Sequence, residues 1–152
     1  MNLRQLRTPY VWLLRVIMAG TFFYAAWGKI LDPAAFAVDV ANYRMVGDPW
    51  VRIVAVFLPW LEFWCALTLL AVPPFRRSAW WWFLLMLAGF TIAKIHAIRE
   101  GLDISCGCFG GDTTLGAADL LLNFALMLVC ALGLWLDHRW VSPSPVQELR
   151  RS

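Results

Sequence analysis

Residues 51–72 read VRIVAVFLPWLEFWCALTLLAV, an apolar stretch with one carboxylate, Glu62, near its middle. A stretch of this length is long enough to cross a hydrocarbon layer about 30 Å thick as an α-helix. Three further apolar stretches of similar length lie at about 10–31, 79–98 and 115–136. Backbone N–H and C=O groups in lipid must be hydrogen-bonded within their own segment, so all four stretches are predicted to be helices.

The breaks between these stretches are rich in proline, glycine and charge, which predicts an all-α integral membrane four-helix bundle. Asp32-Pro33 ends the first stretch, the turn 73–77 separates the second from the third, and a polar loop at 99–114 separates the third from the fourth. The first stretch is too long for a signal-peptide core and is interpreted as a retained anchor. We therefore predict a single domain over residues 1–152, with the segment 33–50 as a short helix at the membrane interface.

The composition supports a membrane protein and gives no sign of nucleic-acid binding. The chain is 61% hydrophobic and 15% charged, and its mean hydropathy is +0.65. Soluble domains are typically about 45–50% apolar and about 25% charged. No run of basic residues is interleaved with aromatic ones. Among the ten tryptophans, Trp80, Trp81 and Trp82 are predicted to form an interfacial aromatic belt.

The arginines predict the orientation of the bundle. With four spans, the N-terminal tail, the 73–78 turn and the C-terminal tail share one side of the membrane. That side carries Arg4, Arg7, Arg76, Arg77, Arg139, Arg150 and Arg151. An excess of Lys and Arg marks the cytoplasmic side, so both termini are predicted to be cytoplasmic, in a bacterial inner membrane, with the 99–114 loop facing the periplasm or exterior.

That outer loop contains Cys106 and Cys108, separated only by Gly107. Glycine lets the backbone turn so that the two sulfurs approach. A disulfide across one residue closes a small ring, and departure from relaxed geometry makes it easier to reduce. We predict that Cys106 and Cys108 are catalytic thiols that cycle through a redox-active disulfide. A structural disulfide and a copper(I) site remain alternatives, whereas a zinc site lacks its four ligands.

Several ionisable residues lie within or at the ends of the spans. Such residues are functional candidates by default, and we predict a tentative quinone or proton site. Its residues would be Lys29, Asp32, Glu62, Lys94 and His96. The structural alternative is that Glu62 pairs with Lys29 or Lys94 and simply locks the bundle, that His96 is an ordinary interfacial histidine, and that Cys65 and Cys130 are packing residues.

Three short motifs resemble a known family of membrane proteins. Gly28–Pro33 (GKILDP) with Phe36, and Leu58–Glu62 (LPWLE), resemble elements of DoxX-like proteins. Cys106–Gly110 (CGCFG) resembles the signature of the methylamine utilisation protein MauE branch. The resemblance covers about residues 10–136. It implies a four-helix membrane protein linked to the maturation of methylamine dehydrogenase beside a thioredoxin-like partner, and other DoxX-like members are linked to quinone reduction.

These observations together predict a membrane redox component. It would exchange electrons between a periplasmic thioredoxin-like dithiol and the membrane, through quinone, in disulfide formation or maturation of a periplasmic protein. Its other partners would be the lipid bilayer and further membrane subunits. Two alternatives are a non-catalytic assembly subunit of a larger membrane complex and a copper(I)-handling membrane protein.

Overall fold

The computed structural model describes residues 3–102 and 117–139, and within them it contains helices but no strands. The α-helices are α1 (Leu3–Leu31), α2 (Pro33–Asn42), α3 (Trp50–Ala71), α4 (Arg76–Arg99) and α5 (Ala117–Arg139), and a 3-10 helix covers Pro73–Phe75. Four segments are long and apolar enough to span a membrane: Pro9–Leu31, Trp50–Ala71, Pro73–Arg99 and Ala118–Asp137. The predicted all-α membrane four-helix bundle is confirmed.

The outer surface of the bundle is apolar on each spanning helix. Large side chains such as Val16, Phe57, Leu85 and Leu128 are more than half exposed. A water-soluble monomer rarely exposes contiguous apolar surface on this scale. The exterior therefore suits contact with lipid tails, and the chain is a multi-pass membrane protein.

One end of the bundle is closed by a polar cluster that joins α1, α4 and α5. The guanidinium of Arg15 forms an ion pair with Asp137, and Trp80 Nε1 donates a hydrogen bond of 2.8 Å to the same carboxylate. We call this the Asp137 end. At the opposite end lie the C-terminus of α1, all of α2 and the start of α3, together with the end of α4 and the start of α5. We call it the α2 end.

Two sequence predictions need correction at the Asp137 end. Trp80 is fully buried, with its indole N–H turned inward to donate a hydrogen bond to Asp137. Of the three tryptophans, only Trp81 and Trp82 are exposed, as residues of an interfacial belt would be. The third span also begins earlier than residue 79. Helix α4 begins at Arg76. The Arg76 guanidinium donates hydrogen bonds to the carbonyl oxygens of Leu69 and Leu70, each at 3.1 Å. These bonds satisfy two free carbonyls at the end of α3.

The segment after the first span forms a shorter helix than predicted. Asp32 is its N-cap, where Oδ1 accepts a 2.9 Å hydrogen bond from the backbone N–H of Ala35, and Pro33 follows at the first helical position, which favours helix initiation. The helix ends at Asn42, and Arg44 has a positive φ of 53°. Residues 43–49 are therefore not helical, although they stay beside α2.

Helix α4 ends in a Schellman motif directly before the cysteine loop. The N–H of Leu102 donates to the carbonyl of Ala97 at 3.0 Å, and the N–H of Gly101 donates to Ile98 at 3.2 Å. Gly101 has φ +63°, a left-handed conformation that glycine adopts without strain. This motif sets the point at which the chain leaves the bundle toward Cys106 and Cys108.

Candidate functional site

A buried ion pair joins α1 and α3 in the half of the bundle toward the α2 end. Lys29 Nζ lies 2.7 Å from Glu62 Oε1 and 2.9 Å from Oε2, and the two side chains are only 5% and 0% exposed. The prediction that Glu62 lies inside the bundle and pairs with Lys29 or Lys94 is confirmed, with Lys29 as the partner. Pairing offsets part of the cost of placing either charge in the membrane interior.

The ammonium of Lys29 is also enclosed by aromatic rings. Nζ lies 5.1 Å from the ring centre of Phe36 on α2 and 5.3 Å from that of Phe90 on α4. Both distances are within the range of cation–π attraction, about 6 Å. Lys29 is thus held by a carboxylate and two rings, and its contacts bring α1, α2, α3 and α4 to one point.

Lys94 has a different environment, although it is equally buried, at 1% exposed. Its Nζ lies 3.3 Å from Asn123 Oδ1 and 3.4 Å from the backbone carbonyl of Asp119. Both acceptors are neutral and both contacts are long for a charged donor, for which about 2.7–2.9 Å is usual. No carboxylate lies within ion-pair distance of Lys94 among residues 3–102 and 117–139.

A chain of hydrogen bonds orients the amide of Asn123 toward Lys94. Asn123 Nδ2 donates to Thr91 Oγ1 at 3.2 Å, and the Thr91 hydroxyl donates to the carbonyl of Leu87 at 2.8 Å. Since the Thr91 proton is used, its oxygen accepts from Asn123, and the amide oxygen is left to face Lys94. The chain ties α4 to α5 and holds Lys94 in place.

The Lys29–Glu62 pair and the Asn123 amide both line a small internal cavity. Its volume is about 20 Å³, and Phe22, Leu87 and Leu126 contribute apolar walls. That volume exceeds the minimum for one water molecule, about 10–15 Å³. The Lys29–Glu62 pair and the Asn123 amide therefore face the same small space.

A much larger cavity lies between α2, α3 and α4 and is lined by both lysines. Its volume is about 310 Å³, within the range of small-molecule sites, about 300–1,000 Å³. Apolar residues form most of the wall: Phe36, Val40, Met45, Val46, Val54, Leu58, Met86, Phe90 and Ala93. The polar groups are Lys29 and Lys94 with Asp39 and Tyr43 from the α2 side. We call this space the α2 cavity.

The residues of the α2 side were not among the predicted site residues, because they belong to a connecting segment rather than to a span. Asp39 is the clearest example: partial burial raises the pKa of its carboxyl group above the usual value. The available signal was the mixture of Phe36, Val40 and Tyr43 with acidic residues, which is typical of a helix lying over an apolar space.

The other predicted site residues do not line the α2 cavity. Asp32 is exposed and its carboxylate caps α2, while half-buried His96 lies on the last turns of α4, where its carbonyl accepts the N–H of Glu100. Cys65 and Cys130 are buried in the core without a disulfide, in agreement with a packing role. No group of three metal-ligating side chains occurs in the described part of the chain.

Cys106 and Cys108 lie outside the described residues. Their position along the chain is nevertheless informative, because the loop leaves the bundle after Leu102 and returns at Ala117, both at the α2 end. The carbonyl of Asp119, on the first turn of α5, is a contact of Lys94. The two described residues that flank the cysteine segment, Leu102 and Ala117, therefore lie at the same end of the bundle as the α2 cavity.

The family described as "Methylamine utilisation protein MauE" matches residues 7–136, which include the first three spans and all but the last residue of the fourth. The chain belongs to the MauE family. The predicted resemblance is confirmed.

Curated relatives of this MauE family member carry the same description. "Methylamine utilization protein MauE" of Paracoccus denitrificans is 32% identical over 99 residues, 65% of this chain and 53% of the relative. The protein of that name in Methylophilus methylotrophus is 32% identical over 114 residues, 74% of this chain and 59% of the relative. The match thus spans little more than half the length of these relatives. No solved structure matches the chain significantly.

Proposed function

We propose that this MauE family member exchanges electrons between a periplasmic thioredoxin-like protein and membrane quinone, in disulfide formation in a periplasmic protein such as methylamine dehydrogenase. Cys106 and Cys108 are the exchanging thiols. The part in methylamine metabolism is inferred from the name of the family and of the relatives. The chain would act in a bacterial inner membrane with the cysteine loop on the periplasmic side, beside any further membrane subunits.

The observation that carries the proposal is the position of the α2 cavity. An apolar space with a buried ammonium, Lys94, lies at the end of the bundle to which the dithiol loop is attached. The arrangement suits a lipid-soluble electron acceptor on one side and a water-soluble thiol partner on the other. A purely structural bundle has no need of an apolar cavity of this size at the end where its cysteine-containing loop begins and ends.

The proposed reaction has two steps, oxidation of the partner and reduction of the quinone. First, a thiolate of the partner attacks the Cys106–Cys108 disulfide, forms a mixed disulfide with one cysteine and releases the other as a thiolate. The partner's second thiol then attacks the partner sulfur of the mixed disulfide and releases the remaining cysteine. The partner leaves oxidised, and Cys106 and Cys108 become thiols. Second, these thiols form an S–S bond and lose two electrons and two protons, which convert a quinone to its hydroquinone.

Single replacements of the two cysteines test this proposal. We expect Cys106→Ser and Cys108→Ser each to abolish activity, and one of them to accumulate a mixed disulfide with the partner, because the resolving thiol is missing. The adduct is detected on non-reducing gels of whole cells. Cys106 is our choice for the cysteine that joins the partner in the mixed disulfide. Lys94, His96 and Arg99 precede it in the sequence, and positive charge favours a thiolate, the form in which this cysteine is released.

Cys130→Ala is the matched control, because this thiol is buried in α5 and should form no adduct. A Cys106→Ser/Cys108→Ser double variant that supports full maturation of the target protein would exclude redox exchange. The assembly-subunit interpretation would then take its place. Copper(I) bound stoichiometrically by the wild type and lost in the double variant, without any adduct, would favour metal handling.

A further inference from the structure

The five residues of the predicted quinone or proton site are not equivalent in the structure. Asp32 caps a helix and His96 does not line the α2 cavity. Lys29 and Glu62 neutralise each other, and the Lys29 ammonium is further enclosed by two rings. Lys94 alone keeps a buried positive charge whose described contacts are two long hydrogen bonds to neutral oxygens.

A buried ammonium with these two contacts can donate at least one further hydrogen bond. It carries three N–H groups, and a charged group removed from water is stable only when it is well hydrogen-bonded. Since Lys94 lines the α2 cavity, an additional acceptor can reach it from there. A ligand with an oxygen acceptor would complete the hydrogen bonding of Lys94.

The walls of the cavity define the rest of the occupant. They are predominantly aliphatic and aromatic, with the Phe90 ring on the α4 side and Phe36 on the α2 side. Exposed Val46 and Gly89 border the space, so that it opens at the apolar surface of the bundle. A ligand can therefore enter from the bilayer with its apolar part among these side chains and its oxygen toward Lys94.

We propose that the α2 cavity binds the head group of a membrane quinone and that Lys94 donates a hydrogen bond to one of its carbonyl oxygens. The choice of a quinone over a fatty acid of similar shape rests on the proposed function, because only the quinone accepts two electrons from a dithiol. The negatively charged Asp39 on the α2 side of the cavity also disfavours a ligand that brings a carboxylate past it.

Gly89 provides a way to fill the cavity without disturbing the fold. A Cβ atom added at this position meets no atom within 4 Å, and leucine is a better helix former than glycine. Gly89→Leu should therefore place a side chain in the binding space. Gly20→Leu is the matched control, because Gly20 is also an exposed helical glycine with an unobstructed Cβ position but does not line the α2 cavity.

The test is equilibrium binding of a tritiated benzoquinone with one isoprenoid unit to the full chain in lipid nanodiscs. We expect Lys94→Met to weaken binding about tenfold, which corresponds to the loss of about one hydrogen bond from a charged donor. Gly89→Leu should weaken it at least as much, whereas Gly20→Leu should bind as the wild type does. Oleate should not displace the probe.

The proposal is overturned if the wild type does not bind the quinone, if oleate competes equally, or if Gly89→Leu binds normally. The last criterion holds even where Lys94→Met fails to fold. The Cys106→Ser/Cys108→Ser variant separates this inference from the proposed function, since it should bind the probe normally although it cannot exchange electrons. If the wild type binds the quinone normally but neither single cysteine variant forms an adduct with the partner, the cavity assignment stands and the redox role is excluded.

Discussion

At the scale of single residues, the molecule distinguishes two buried lysines that look alike in the sequence. Lys29 meets a carboxylate at 2.7 Å, and its charge is used to hold the bundle together. Lys94 meets only an amide and a backbone carbonyl at 3.3 and 3.4 Å. The difference assigns a structural part to the first and leaves the second available to a ligand.

Removal of one partner of the Lys29–Glu62 pair should be costly. Glu62→Gln leaves a buried ammonium without its counter-charge, and such a loss typically costs about 3–5 kcal/mol. We expect a clear fall in the unfolding midpoint in detergent. The double variant Lys29→Gln/Glu62→Gln should lose less than the two single variants combined, because the pair interacts directly.

The exposed pair Arg52–Asp48, with side chains 81% and 66% exposed, provides the control. Arg52→Gln should leave the midpoint nearly unchanged, since exposed ion pairs contribute little. Strict additivity of the Lys29 and Glu62 replacements would contradict an energetic role for the buried pair.

At the scale of helices, the contact between α4 and α5 depends on a small residue. Gly133 packs on the buried ring of Trp80, and a Cβ atom added there would lie 2.4 Å from Trp80 Cζ2. The ring has little freedom to move, because its Nε1 is hydrogen-bonded to Asp137. Close approach of helices at small residues is a common basis of packing within membranes.

Gly133→Ala should therefore destabilise the bundle even though alanine favours helix formation. Overpacking typically costs about 1–3 kcal/mol, and thermal unfolding in detergent should show the loss. Gly20→Ala is the comparison, because its Cβ position is open and only the gain in helix propensity applies. Equal midpoints for the two variants would show that α4 and α5 can separate at no cost.

At the scale of the whole molecule, the two ends of the bundle carry different groups. The α2 cavity, Lys94 and both ends of the cysteine loop lie at the α2 end, whereas the Arg15–Asp137 cluster closes the other. The distribution of arginine predicts that the α2 end faces outward. The cavity and the dithiol loop would then share the periplasmic side.

Labelling of intact cells with a membrane-impermeant thiol reagent tests this orientation. After reduction, the reagent should reach Cys106 or Cys108. In a Cys106→Ser/Cys108→Ser background, Ala34→Cys on exposed α2 should also react, whereas Arg77→Cys at the Asp137 end should react only once the membrane is opened. The reverse pattern would invert the topology and place the dithiol in the reducing cytoplasm, where disulfides rarely persist.

The spans, the even number of crossings and the interior position of Glu62 could all be predicted from the sequence. The bilayer imposes a fixed length and internal hydrogen bonding on each helix regardless of its neighbours, so apolar runs can be located one at a time. The N-cap at Asp32-Pro33 and the glycine stop at Gly101 are equally local, since they depend on the conformations of a few consecutive residues.

Only the tertiary structure decided which polar groups meet. Glu62 had two possible lysine partners in the sequence, and it pairs with Lys29 because α1 packs along α3, while Asn123 on α5 turns toward Lys94. The burial of Trp80 likewise depends on Asp137, which is far away in the chain. The residues that line the α2 cavity are spread over the sequence from Lys29 to Lys94. A cavity between helices depends on how the helices pack, so no single segment encodes it.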